Sequence, residues 1–113
     1  LAAAQVHGGM SMAIGYALSE QMLYDPKTGK PLNNNLLDYK LSTIMDHPHL
    51  EAEFVENYEP TSAYGTKALG EPPAVPAAPA IRNALLNATG VSVNELPLNP
   101  HKLFVRFKEE GLI

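Results

Sequence analysis

Residues 4–22 contain no proline and one acidic side chain, Glu20, and are otherwise mostly small or apolar. At ~1.5 Å of rise per residue such a stretch makes a helix ~28 Å long. Val6, Met10, Ala13, Ile14 and Ala17 make one side of it, while Gly8, Ser11 and Gly15 fall at i, i+3 and i+7 on another. A helix apolar on most sides has to be covered on most sides. The 113 residues are enough for one domain with a modest core, burying roughly 65% of the unfolded surface if free-standing. Glycines inside a helix cost about 1 kcal/mol each relative to alanine, so the small stripe needs a reason. Two are open: close packing of another helix, or a large group lying against the backbone.

Beyond this helix the pattern changes. Met22-Leu23-Tyr24 reads as a short strand followed by the turn cluster Asp25-Pro26-Lys27-Thr28-Gly29-Lys30-Pro31, which predicts a hairpin. Asn33-Asn34-Asn35 reads as a polar loop before a strand or extended lead-in at 36–41. Residues 51–56 alternate polar and apolar until Phe54-Val55, as a strand with one wet face does. Ala77, Ala80, Ile81, Ala84, Leu85 and Ala88 repeat at helical spacing, which predicts a buried helix starting near Ala77 or Pro79 and stopping at Gly90. Residues 91–100 read as a connector, and 103–107 as a final strand or short helix. The sum is an α+β architecture over residues 1–113: two largely buried helices on a small, mainly antiparallel sheet.

The segment with most chemical content is Gly65-Thr66-Lys67-Ala68-Leu69-Gly70-Glu71-Pro72-Pro73. Gly70 brings no side chain, so a bulky partner can come close. Pro72 and Pro73 fix φ and suit a loop entering a helical turn, and Pro72 biases Glu71 toward extended geometry. Glu71 therefore projects from a stiff corner. Two roles suit it: a helix-entry carboxylate favoured by the N-terminal dipole, at about 0.3–1 kcal/mol, or a base within reach of a proton to be removed.

Residues 63–73 resemble the active-site loop of the molybdenum hydroxylases, the xanthine dehydrogenase and aldehyde oxidase family. Two further stretches resemble the family in the same order. Gln5-Val6-His7-Gly8-Gly9 with Ala13-Ile14-Gly15-Tyr16-Ala17-Leu18-Ser19-Glu20 is similar to the glutamine-and-glycine helix beside the molybdopterin. Leu37-Asp38-Tyr39-Lys40-Leu41-Ser42-Thr43 is similar to the "DYK-x-P-T" stretch, with Ser42 where proline is usual. The resemblance runs from Gln5 to about Lys102, and departs again at Ala4, where the family has glycine.

The resemblance implies that the chain is a C-terminal segment of a larger molybdopterin-binding domain. It implies Glu71 as the general base for oxidation of an N-heterocycle (purine-like) or an aldehyde, with oxygen derived from water. It implies Gln5, Gly8, Gly9 and Gly70 as residues that bind the molybdenum cofactor, with no protein ligand to the metal from this chain. Iron–sulfur clusters and FAD are then expected only on other domains or subunits, and a larger molybdenum-domain segment or subunit is the expected partner. Alone the segment is expected to be inactive, whether it is a separate small subunit or a truncated product. The alternative is a non-catalytic structural or interaction module that keeps the family's shape without its cofactor.

Composition sets outer bounds. A net charge of −4 offers no basic patch suited to nucleic acid. The absence of cysteine excludes thiolate ligation of an iron–sulfur cluster by this chain. No apolar run approaches the ~20 residues of a membrane span, so the cytoplasm is the expected location. Asp46-His47-Pro48-His49 gathers possible metal ligands, but the i, i+2 spacing across Pro48 suits a solvated loop better. Lys67 is either a brace for the Glu71 loop or a solvated charge, and Phe54 and Tyr64 read as packing residues.

Overall fold

The computed structural model describes all residues, 1–113. It is all-helical: α1 (Ala2–Leu18), α2 (Ala77–Thr89) and α3 (Pro100–Glu109), with three short 3-10 turns at Ile44–Asp46, Ala63–Gly65 and Pro72–Ala74. The expected antiparallel sheet is absent. Of its pieces only the turn after Tyr24 has a ladder contact, the single bridge between Tyr24 and Pro31. Residues 36–41 and 51–56 alternate or extend as strands do, yet no neighbouring edge in this chain pairs with them. A strand pattern specifies a face; the hydrogen-bonding partner must come from elsewhere in the polypeptide.

The long first helix ends at Leu18, earlier than its apolar run suggests. There the Gly15 carbonyl accepts from the amides of both Ser19 and Glu20, each at 2.9 Å. The Ser19 hydroxyl reaches the same carbonyl at 3.3 Å and donates to the Lys40 carbonyl at 2.8 Å. A serine that bonds backbone in this way competes with helix continuation. The cost of the helix glycines is offset by burial: Gly9, Ala13, Ile14, Gly15 and Ala17 are all buried.

The start and stop expected for the second helix agree with Ala77–Thr89. Gly90 closes it in the left-handed region at φ 73°, with its amide on the Leu86 carbonyl at 2.8 Å. Its burial does not match expectation, since only Ala78 is buried. The last element is a helix and not a strand. Its signal was local: Asn99 accepts from the Lys102 amide at 2.9 Å as N-cap, and Pro100 occupies the first turn.

The core is small. Ala13, Ile14, Ala17, Ala78, Val91 and Leu98 are its buried apolar residues, joined by the Leu98 amide donating to the Ala17 carbonyl at 2.6 Å. Asn33, expected in a polar loop, is buried instead. It accepts from the Leu23 amide at 2.8 Å and donates to the Gln21 carbonyl at 2.7 Å, pinning the turn across 23–33. A radius of gyration of 17.7 Å exceeds the ~13 Å of a compact chain this long. Much of residues 34–75 is therefore laid out on the surface.

The connector after α2 is held by one side chain. Arg82 donates to the Val93 carbonyl, the Ser92 hydroxyl and the Asn94 amide oxygen at 3.2, 2.6 and 2.8 Å. Arg82→Ala is expected to destabilise the chain by about 1–3 kcal/mol, since charged donors make the stronger hydrogen bonds. Denaturant titration checks it, with a smaller loss expected for Arg82→Lys.

Candidate functional site

Three sides of α1 carry three different neighbours. Ala13, Ile14 and Ala17 face the core. Ser11, Gly15 and Ser19 meet the extended segment 38–47. Gln5, Gly8, Gly9, Met12 and Tyr16 face the loop that holds Gly70 and Glu71.

That last side is concave. Gln5, Gly8, Met12 and Tyr16 from α1, with Gly70 and Glu71 from the loop, line one open cavity of ≈ 670 Å³. The five residues singled out in the sequence therefore come together, although Glu71 lies 66 positions after Gln5 (71 − 5). Gln5 and Glu71 are both exposed. Each can offer its side-chain oxygens to a ligand, and Gln5 also an N–H pair.

The Glu71 loop is docked by packing and one hydrogen bond. Across α1, Gly9 is buried against the proline turn: a Cβ there would lie 2.9 Å from Pro73 Cβ and 3.2 Å from the Ala74 nitrogen. Neighbouring Gly8 differs, having nothing within 4 Å of that position, and the same is true of Gly70. So Gly9 serves the close approach of two backbones, whereas Gly8 and Gly70 leave room in front of the cavity. Tyr16 adds a second tie, its hydroxyl donating to the Ala74 carbonyl at 2.9 Å.

Glu71 itself does not adopt the extended backbone that a following proline favours. Its φ and ψ are −79° and −37°, in the right-handed helical region. The Glu71 carbonyl accepts from the Ala74 amide at 2.9 Å, and that turn, pressed against Gly9, overrides the local preference. The carboxylate thus leaves from the head of a 3-10 turn, one short step before α2.

Tyr16 and Met12 were missed as cavity residues. Their helical spacing from Gln5 and Gly8 places all four on one side of α1, a signal present in the sequence once the loop's docking side is known. Tyr16→Phe is expected to leave the Ala74 carbonyl without its partner at a cost of about 0.5–1.5 kcal/mol. The amides of Ala74 and Val75 should then exchange hydrogen several-fold faster, with those of α2 unchanged.

The remaining candidates scatter. His47 turns toward Ser11 and Ser42, while His49 turns outward to Glu51 at 3.0 Å, so the two imidazoles do not converge. Lys67 lies 3.7 Å from Glu59, a half-exposed pair. The Glu59 carboxyl is held below its ordinary range chiefly by the Thr61 hydroxyl, with help from the Thr61 amide and Lys67. Tyr64 does not pack within this chain, being 96% exposed with φ 57°, and Phe54 is half-exposed. His7 Nε2 is buried without a hydrogen-bond partner.

Comparison with known proteins gives this geometry a context. Residues 1–48 match the molybdopterin cofactor-binding domain. All 113 residues align, at 58% identity, with 15% of the putative xanthine dehydrogenase molybdenum-binding subunit of Escherichia coli K12. The aldehyde oxidoreductase molybdenum-binding subunit of the same organism is 34% identical over 90% of this chain and 14% of its own length. Among solved structures, quinoline 2-oxidoreductase from Pseudomonas putida 86 superposes with a TM-score of 0.83 at 29% identity, over 94% of this chain and 14% of that one. The chain thus spans about 15% of the length of the curated relatives it matches. No helix is long and apolar enough to cross a membrane.

Proposed function

The chain belongs to the molybdenum hydroxylase family, within its molybdopterin-binding domain, and from that premise we propose that it supplies one wall of the catalytic pocket, with Glu71 as general base. The observation that carries this reading is the shared cavity of Gln5, Gly8, Gly70 and Glu71.

The residues present fit a large polar group. Open space at Gly8 and Gly70 lets it approach the backbone of α1 and of the loop, and the Gln5 amide offers both a donor and an acceptor to its edge. When bound, the molybdenum cofactor supplies a two-electron redox centre. Glu71 takes the proton released as a water-derived oxygen is committed to an electron-poor substrate carbon. Its backbone is held by the Pro72–Ala74 turn, so only the side-chain rotamers remain to be ordered for the carboxylate to meet that proton. Met12 and Tyr16 give the cavity an apolar side suited to a flat heterocycle or an aldehyde tail. With no cysteine here, any iron–sulfur cluster that accepts the electrons would be held by other domains or subunits.

The test uses the complete protein or assembly that contains this chain. It is expected to carry molybdenum and to oxidise a purine-like heterocycle or an aldehyde, and turnover in ¹⁸O-labelled water should place the label in the product. Protein free of molybdenum, with no labelled product from either class, would favour the non-catalytic module.

A further inference from the structure

The extended segment against the Ser11–Gly15 side of α1 contains one well-braced piece. Ile44–Asp46 forms a 3-10 turn in which Ile44 and Met45 are 86% and 88% exposed. Apolar side chains so exposed usually sit on loose backbone, but this turn is tied at both ends.

Within the turn, the Asp46 carboxylate accepts from the Thr43 amide at 2.7 Å and the Thr43 hydroxyl at 2.8 Å. The Asp46 amide in turn donates to the Thr43 carbonyl at 2.9 Å. The same two donors on Thr43 hold the Asp46 carboxyl below its ordinary range.

Outside the turn, Ser42 and His47 clamp it to α1. The Ser42 hydroxyl donates to the Ser11 carbonyl at 3.1 Å, which commits its only proton. His47 Nε2 lies 3.1 Å from both the Ser42 and Ser11 hydroxyl oxygens. Nε2 can donate to the Ser42 oxygen or accept from the Ser11 hydroxyl, so the ring is held between the two serines in either tautomer. A proline at position 42 could make neither contact of the serine hydroxyl.

We infer that residues 42–47 are a preorganised docking knuckle whose Ile44–Met45 tip seats in an apolar socket on further molybdenum-domain polypeptide of the kind the longer relatives contain. Rigid presentation removes the ordering cost that otherwise offsets the gain from burying such side chains. Two concavities elsewhere on this chain carry Ser92, Asn94, Glu95 and Arg82, polar groups that an apolar tip would have to desolvate, which disfavours a second copy as the socket. The relatives offer ample other surface, because this chain corresponds to 15% of their length. This inference rests on the family reading above and extends it to a specific contact.

Met45 reports on the contact directly, since peroxide converts exposed methionine to the sulfoxide. In the complete protein, Met45 is expected to oxidise at least tenfold more slowly than free methionine in the same sample, read by peptide mass spectrometry. Oxidation at the free rate overturns the docking, as does protection that disappears on dilution of a homodimer. Combined Ser42→Ala and His47→Ala is expected to raise the Met45 rate several-fold at unchanged molybdenum content, and an unchanged rate removes the clamp from the inference. Molybdenum and turnover are measured on the same preparation. Active protein with freely oxidised Met45 sinks the docking alone, whereas metal-free, inactive protein sinks the functional reading.

Discussion

Glu71→Gln in the complete protein is expected to lower turnover by about 10²–10⁴-fold while leaving molybdenum content unchanged. The amide has nearly the shape of the carboxylate, so the turn at Pro72–Ala74 and its docking on α1 are preserved, as is the cavity lining. What is lost is a group able to take up a proton. Glu71→Asp keeps the base but withdraws it by one methylene, and should retain more activity than the glutamine variant. The discriminating measurement is turnover per bound molybdenum. A glutamine variant within tenfold of the parent would remove Glu71 from the chemistry and leave it as a helix-entry carboxylate.

The second large effect is expected from two adjacent glycines that behave oppositely. Gly9→Val places its Cβ 2.9 Å from Pro73 and 3.2 Å from the Ala74 nitrogen, between two backbones that have little freedom to yield. Overpacking of this kind costs about 1–3 kcal/mol, and here it also lifts the Glu71 turn away from α1. Folding stability and turnover should fall together. At Gly8 a Cβ meets nothing within 4 Å, and valine has a better helix propensity than glycine. The stability of Gly8→Val should hold or rise, with loss confined to molybdenum content or turnover if the cofactor approaches there. Thermal unfolding followed alongside metal analysis separates the two. Equal destabilisation by both changes would contradict the placement of Gly8 on the open side.

The candidate site was legible because its parts are short, local and chemically distinctive. Gly70-Glu71-Pro72-Pro73 declares a stiff turn, and the Gln5-to-Gly9 stretch declares a helix that something can approach closely. Their meeting was implied by resemblance, not by the pattern itself. Equally, nothing local separates Gly8 from Gly9. One helix position turns toward Pro73 and the next away from it, and that distinction exists only once the loop is seated. Tyr16 belongs to the same class: nothing local shows that its hydroxyl meets the Ala74 carbonyl at 2.9 Å.

For the fold, residue order alone determined the α1 run, the second helix with its Gly90 stop, and the proline turn ahead of it. Each rests on backbone terms carried by a few adjacent residues: propensity, fixed φ at proline, and tolerance of positive φ at glycine. Tertiary structure decided the rest. Strand-like segments at 36–41 and 51–56 form no sheet, because a ladder needs a second edge and this chain brings none beside them. Glu71 adopts helical rather than extended backbone, because a hydrogen bond to Ala74 and the packing of Pro73 on Gly9 outweigh the preference set by its neighbour. Local chemistry limits what each residue can adopt, and contacts from distant parts of the chain select among those options, since only they decide which groups lose water and which find a partner.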